Sequence, residues 1–167
     1  EAISRAGGLA LIATAGGRLE PDLKTAGGEL IRIPADSKNP ITLIANAFKL
    51  AKIARDRKVQ IIHARSRAPA WSALLAARMA KVPFVTTYHG IYNAKSPLKA
   101  FYNSVMARGD AIIANSEFTR EHILTHHNVM PERITAIPRG VDLDVFDPAK
   151  IAPQTIAALR AEWRVKP

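Results

Sequence analysis

Short apolar, β-branched runs alternate along this chain with stretches whose apolar residues fall three and four positions apart. The runs are Leu9–Thr14, Glu29–Ile33, Val59–His63, Phe84–Tyr88, Asp110–Asn115 and Arg133–Ile137, and they predict strands. Ile41–Arg57, Pro69–Ala80, Pro97–Arg108 and Glu117–His126 carry the helical spacing and predict helices that cover a sheet. Local signals agree with this reading. Asn39-Pro40 and Ser96-Pro97 each offer a capping side chain followed by a proline at the first helical position, where a missing N–H costs nothing. Ser116 caps the next helix, with Glu117 in its first turn. Gly7-Gly8, Gly27-Gly28 and Gly109 follow helix ends, where a left-handed residue is expected. The fold class is therefore α/β: a Rossmann-like, doubly wound parallel sheet with right-handed crossovers.

The pattern also predicts that the unit is incomplete. The chain opens on what reads as the end of a helix, and a helix that crosses over to a strand needs a strand before it, so a first strand is expected to be missing. After Asp142 the strand pattern stops. Asp147-Pro148 followed by the helix-like segment Ala152–Trp163 reads as the start of a connection, which divides the chain into residues 1–146, a Rossmann-like domain, and 147–167, a link toward a further domain.

Composition narrows the classes. A chain of 167 residues, 48% hydrophobic and 23% charged, is long enough for one domain with a real core and has no bias toward disorder. It contains no cysteine, which excludes disulfides and thiolate metal sites and fits a reducing, cytoplasmic setting. No apolar stretch approaches the roughly 20 residues that span a bilayer, and the first residues do not have the form of a secretory signal. The formal charge of +10 favours anionic partners, but the aromatic content of 6% argues against nucleic acid, whose recognition wants aromatics interleaved with basic residues.

In an open parallel sheet, ligands bind off the carboxyl ends of the strands. The residues expected there are Gly16, Gly17 and Arg18; His63, Arg65, Ser66 and Arg67; His89, Gly90, Tyr92 and Asn93; Ser116; and Arg139-Gly140. Together they suit an anionic, hydroxyl-rich ligand. Each also has a plain structural reading. Gly16-Gly17 reads equally as a turn, His63 as a hydrogen-bonded residue at a strand end, and Ser116 as a helix cap whose free N–H groups also suit an anion. His89 is the strongest functional candidate, because it follows a strand directly and precedes Gly90, which permits close backbone approach. His122 and His126 stand four apart on a helix but lack the glutamate of a metalloprotease arrangement, and no metal is expected. The helix Ile41–Arg57 sets Ile44, Phe48, Ala51 and Ile53 near one side, with Lys49, Lys52, Arg55 and Arg57 largely elsewhere. It reads as a solvated cover for the sheet, with attachment to an anionic membrane surface as the alternative. There is no G-x-G-x-x-G, no phosphate loop and no G-x-S-x-G elbow, so dehydrogenase, nucleotide hydrolase and serine hydrolase lose their usual support.

Three blocks carry a family resemblance: Val85-Thr-Thr-Tyr-His-Gly90, Asp110-Ala-Ile-Ile-Ala-Asn-Ser-Glu117 and Arg133-Ile-Thr-Ala-Ile-Pro-Arg-Gly-Val-Asp142. In order and spacing they resemble the N-terminal domain of retaining GT-B glycosyltransferases of family 4. The stretches Ser37–Pro40, His63–Trp71 and Phe101–Gly109 are similar to bacterial members that assemble lipopolysaccharide or other cell-envelope glycans. The resemblance implies two facing Rossmann-like domains, of which this chain is most of the acceptor-side half. It implies transfer of a sugar from a nucleotide-sugar donor to a hydroxyl of a glycan or lipid-linked acceptor, with retention, without metal or other cofactor, by a hexosyl-type enzyme at the cytoplasmic face of the membrane. His89 would lie beside the donor sugar at the reacting centre. His63, Arg65, Ser66, Gly90, Tyr92 and Lys95 would face the acceptor, while Gly16, Gly17, Ser116, Arg139 and Gly140 would lie near the donor and the interdomain cleft.

Three departures are expected to matter. The family's first strand and glycine-rich loop are absent, as are its paired glutamates spaced E-x7-E. Arg139 stands where many members have Asn, pairing either with phosphate or with the other domain. On this reading the isolated chain is inactive. The rival readings are half of a GT-B nucleotide-sugar epimerase and a non-catalytic basic module that docks on anions or membranes.

Overall fold

The computed structural model describes residues 1–165 with the exception of Asn93 and Asp144. Two compact units are present, residues 1–137 and 138–167. The first begins with α1 (Ala2–Arg5), β1 (Ala10–Thr14), α2 (Glu20–Thr25) and β2 (Gly28–Arg32). It continues with α3 (Pro40–Asp56), β3 (Ile62–Ala64), α4 (Arg67–Ala80), β4 (Phe84–Tyr88) and α5 (Pro97–Asn103). A 3-10 segment Ser104–Arg108 leads into β5 (Ala111–Ala114), α6 (Glu117–His126) and β6 (Ile134–Ala136). The second unit contains a 3-10 turn at Pro148–Lys150 and α7 (Pro153–Glu162). The architecture is α/β and Rossmann-like, with every strand pair parallel.

The described strands form two sheets: β1 pairs with β2, and β3-β4-β5-β6 lie side by side in sequence order. This departs from the single sheet that the alternation of runs suggests. Between the sheets lies a cavity of about 720 Å³, lined by residues 11–16 on one side and 59–66 on the other, with Leu50, Ile53 and Ala54 of α3 and Ala73 of α4 in its wall. Ile12 and Ile61 remain 43% and 56% exposed there, although both lie in apolar runs. Neither β1 nor β3 has a second strand partner among the described residues.

The core sits against β4 and β5. Phe84, Tyr88, Val105, Met106, Ile112 and Ile123 are almost completely enclosed, and burying side chains of this size stabilises the unit by about 1.5–3 kcal/mol each. The alternation of β4 reads as buried on both faces, as expected for a central parallel strand. α3 and α4 pack through small residues, Ala47, Ala51 and Ala54 on one side and Ala73, Ala76 and Ala77 on the other. Ser72 Oγ donates to the Leu43 carbonyl across this contact at 2.8 Å. At the opposite end of the sheet, Asp110 accepts two bonds from Arg78, at 2.9 and 3.1 Å, and one from the Phe84 amide at 2.8 Å. The Arg78 hydrogen bond is the main reason that its carboxyl is held below the usual carboxylate range. One carboxylate thereby ties α4 to the starts of β4 and β5.

Several sequence expectations need correction. The helix expected over Pro97–Arg108 changes to 3-10 geometry at Ser104. Three consecutive residues of this segment, Val105, Met106 and Ala107, are enclosed. β3 is shifted to Ile62–Ala64, and α4 begins at Arg67, two residues before Pro69. α2 was not predicted; it is only six residues long. Gly7 and Gly27 do take left-handed values of φ, +77° and +76°, but Gly109 does not, with φ −59°. Gly109 is small because a Cβ there would meet the Ala111 carbonyl oxygen at 2.6 Å and Thr86 Oγ1 at 2.9 Å. On α3, Ile44 and Phe48 do not share the inner face with Ala51; with Ile41 they form an outward stripe, 52%, 63% and 79% exposed respectively.

Candidate functional site

Parallel pairing aligns the ends of the strands. The last rungs are Ala64↔Thr86, Tyr88↔Ala114 and Ala114↔Ala136, so β3, β4, β5 and β6 release the chain at one rim. His89 leaves β4 and Asn115-Ser116 leaves β5 one residue past their shared rung. Nothing beyond register is needed to make them neighbours.

His63 lies within β3 rather than after it. Its Nε2 is 2.7 Å from Thr87 Oγ1 on the adjacent strand, two residues beyond its ladder partner Val85. Partial burial, then the charge of Arg65, then that of His89, push the His63 imidazole below its ordinary pKa. Burial, the largest cause, disfavours the charged imidazole, and the neighbouring Arg65 guanidinium acts in the same direction. Arg65 and Ser66 are exposed just past β3, and Ser66 occupies the N-cap position of α4 without a side-chain capping bond.

The segment after β4 is held from several directions. The Tyr92 ring lies 5.0 Å from that of buried Tyr88, and the Arg67 guanidinium sits 4.6 Å from the Tyr92 centroid. Arg67 also donates to Asn103 Oδ1 at 2.8 Å, which anchors it on the 3-10 segment's leading residue. Burial raises the Tyr92 pKa, against smaller lowering effects from Arg67 and from a hydrogen bond with the His89 backbone. Tyr88 is pushed up more strongly, by burial and by Tyr92, and its hydroxyl lies 3.2 Å from His127 Nε2. Both phenols are therefore neutral groups. His89 and Gly90 are half-buried, and a Cβ at Gly90 would enter open space. Lys95 is exposed, and Asn93 lies outside the described residues.

Ser116 is the N-cap of α6, its Oγ accepting from the Thr119 amide at 3.2 Å. The loop after β1 is differently arranged. Gly16 has φ +108°, which disfavours any other residue, and a Cβ there would also meet Glu20 Oε1 at 2.5 Å and Arg32 Nη1 at 2.6 Å. The Gly16 amide bonds to Thr14 Oγ1 at 3.3 Å and the Gly17 amide to Glu20 Oε1 at 3.0 Å. In this arrangement both N–H groups are engaged by the protein, which accounts for the pair as a turn. Arg139 and Gly140 are exposed and belong to the second unit. His122 and His126 stack at 4.0 Å, and among the described residues no group of three or more His, Asp or Glu forms a metal-binding cluster. No helix of the described residues is long and apolar enough to cross a membrane.

Sequence reasoning missed Thr87, Asn103, Asn115 and Thr119 as members of the rim. Each is a short polar residue in or beside a predicted strand or helix. Their roles depend on which residue each one faces across the sheet, and only pairing register supplies that.

Comparison with known proteins places the chain by family and fold. Residues 4–145 match the Glycosyltransferase Family 4 model. A glycosyltransferase from Rickettsia africae ESF-5 superposes with a TM-score of 0.79 at 35% identity, over 99% of this chain and 44% of that one. Anabaena Alr3699/HepE, solved in complex with UDP-glucose, superposes with a TM-score of 0.70 at 19% identity, over 92% of this chain and 42% of that one, and shows likeness of fold. The D-inositol 3-phosphate glycosyltransferase 1 of Catenulispora acidiphila is 24% identical over 149 residues, 78% of this chain and 36% of that protein. The chain thus spans well under half the length of these relatives. The match over residues 4–145, on a parallel α/β scaffold of this form, identifies the chain as a member of Glycosyltransferase Family 4, with the fold of one half of a GT-B enzyme.

Proposed function

We propose that this chain is the acceptor-side half of an enzyme that transfers a sugar from a nucleotide sugar to a hydroxyl of a glycan or lipid-linked acceptor, with retention. The observation that carries the reading is the shared rim at the carboxyl ends of β3 and β4, where His63 reaches Thr87 across the ladder and Arg65 and His89 follow the last rungs. A sugar leaving its diphosphate builds positive charge on the ring and negative charge on the phosphates. Catalysis then needs fixed donors at the phosphates and close polar groups at the ring. His89 is the group beside the reacting sugar. His63, Arg65, Ser66, Gly90, Tyr92 and Lys95 face the acceptor; Gly16, Gly17, Ser116, Arg139 and Gly140 frame the donor side. UDP-glucose in HepE supports a nucleotide-sugar donor.

His89→Ala in the whole enzyme is expected to lower kcat by at least about a hundredfold, the scale of losing one positioned acid, base or oriented donor. Steady-state transfer assays check this, and wild-type turnover in that variant would sink the assignment. The 167-residue chain alone is expected to show no transfer.

The second unit offers an apolar stripe for packing. Ile156, Leu159 and Trp163 of the α7 region are 43%, 42% and 67% exposed at helical spacing, as on a helix that packs against a donor-binding domain. The space between β1 and β3 takes a further strand of the same polypeptide, parallel to both neighbours and leading into α1 by a β-α-β crossover. Its side chains are apolar on both faces, matching Ile12, Ile31, Ile53 and Ile61 around it. Hydrogen exchange tests this: amides of β1 and β3 should exchange at least about tenfold more slowly in the whole protein than in the 167-residue chain. Equal rates would contradict it.

The stripe Ile41, Ile44 and Phe48, with Lys52 and Arg55 continuing along the same helix, suits an anionic lipid surface. Co-sedimentation of the whole protein with phosphatidylglycerol vesicles should fall when Ile44→Asp and Phe48→Asp are combined. Unchanged binding would remove the membrane contact from the proposal.

A further inference from the structure

Beyond the last rung of the β4–β5 ladder, backbone pairing is replaced by a side chain. Asn115 Nδ2 donates to the His89 carbonyl at 3.1 Å, one residue past the pair Tyr88↔Ala114. Asn115 Oδ1 accepts from Thr119 Oγ1 at 2.7 Å, and Thr119 Oγ1 accepts from Ser116 Oγ at 3.1 Å. Thr119 is only 3% exposed. A hydroxyl carries one proton, so the polarity of this chain is fixed: Ser116 gives to Thr119, Thr119 gives to Asn115, and Asn115 gives to His89. The His89 carbonyl can only accept, so the amide nitrogen of Asn115 must face it, and the amide oxygen is left for the Thr119 hydroxyl to donate to.

We propose that Asn115 is a positioning residue for sugar transfer, holding the His89 segment in a fixed place relative to the start of α6. This rests on the reading of His89 as the group beside the reacting sugar. The stack of Tyr92 on Tyr88 and the Arg67 guanidinium over Tyr92 restrain the far side of the same segment. The Asn115 amide restrains the near side, reaching the backbone of His89 from just past the end of β5. A displacement of about 1 Å at a reacting group costs on the order of a hundredfold in rate. The amide chain therefore acts on kcat rather than on substrate affinity.

The test is made in the whole enzyme. Asn115→Asp is nearly isosteric, but a carboxylate only accepts and would confront the His89 carbonyl with a second acceptor. Its kcat should fall at least about tenfold, with KM for nucleotide sugar and acceptor changed by no more than about twofold. Thr119→Val, which removes the hydroxyl that orients the amide, should lose kcat in the same direction by less, and Thr119→Ser should recover most of that loss. If Asn115→Asp fails to fold, as judged by its thermal melt, the Thr119 pair decides the question by the same readout. In a His89→Ala background, Asn115→Asp should add no more than about a further twofold loss, since it acts through His89. Three results would overturn the proposal: an Asn115→Asp kcat within about twofold of wild type, a loss confined to KM, or losses that multiply in the double variant. Wild-type turnover in His89→Ala would instead overturn the underlying reading. A dead His89→Ala enzyme beside a fully active Asn115→Asp enzyme overturns the positioning role alone.

Discussion

The parallel register of β3-β4-β5-β6 is the constraint from which the rest of the site follows. Once Phe84 pairs with Ile62, and Val85 with Ala111, every later rung is set, and the four strands deliver their next residues to one rim. A slip of one residue would send Phe84, Thr86 and Tyr88 to the opposite face of β4, in place of the smaller Val85 and Thr87. The enclosed side chains of Phe84, Ile112, Met106 and Ile123 therefore hold the register as much as the ladder bonds do. Asp110 closes the other end, joining Arg78 to the Phe84 amide where β4 and β5 begin.

At the rim this rigidity is carried forward by side chains. Thr87 receives His63 from the neighbouring strand, Asn115 reaches His89, and Arg67 connects Tyr92 to Asn103. Burial, with the Arg65 guanidinium beside it, lowers the His63 pKa and favours the neutral imidazole. A neutral His63 beside Arg65 is suited to hydrogen bonding with the hydroxyls of an acceptor. A surface of this kind is what the proposed transfer of a sugar to a hydroxyl requires.

Much of this was legible in the sequence where local signals were decisive. β4 and α6 fall on the expected residues, because each is bounded by an unambiguous signal: His89-Gly90 after β4 and Ser116 before α6. Asn39, Ser96 and Ser116 cap the helices they were assigned to. Where tertiary packing decided the outcome, local pattern failed. At Ser104–Arg108 the backbone changes to 3-10 geometry around the enclosed Val105, Met106 and Ala107, which periodicity does not reveal. The run Val59-Gln60-Ile61-Ile62-His63 has no strict alternation, and β3 settled at its far end, carrying His63 into the strand. The division into two sheets depends on what stands between β1 and β3. At the site, His89 was legible from its position after a strand, but Asn115 and Thr119 were not, since their importance lies in a contact across 26 residues of chain.

The family assignment rests on a match across most of the chain, and the assignment of chemistry to the rim rests on geometry. A structure of the whole protein with its nucleotide sugar bound tests the second point most directly. The account predicts the sugar ring against His89, with the diphosphate directed away from the acceptor-facing residues His63 and Arg65. A donor sugar seated away from the carboxyl ends of β3, β4 and β5 would contradict it.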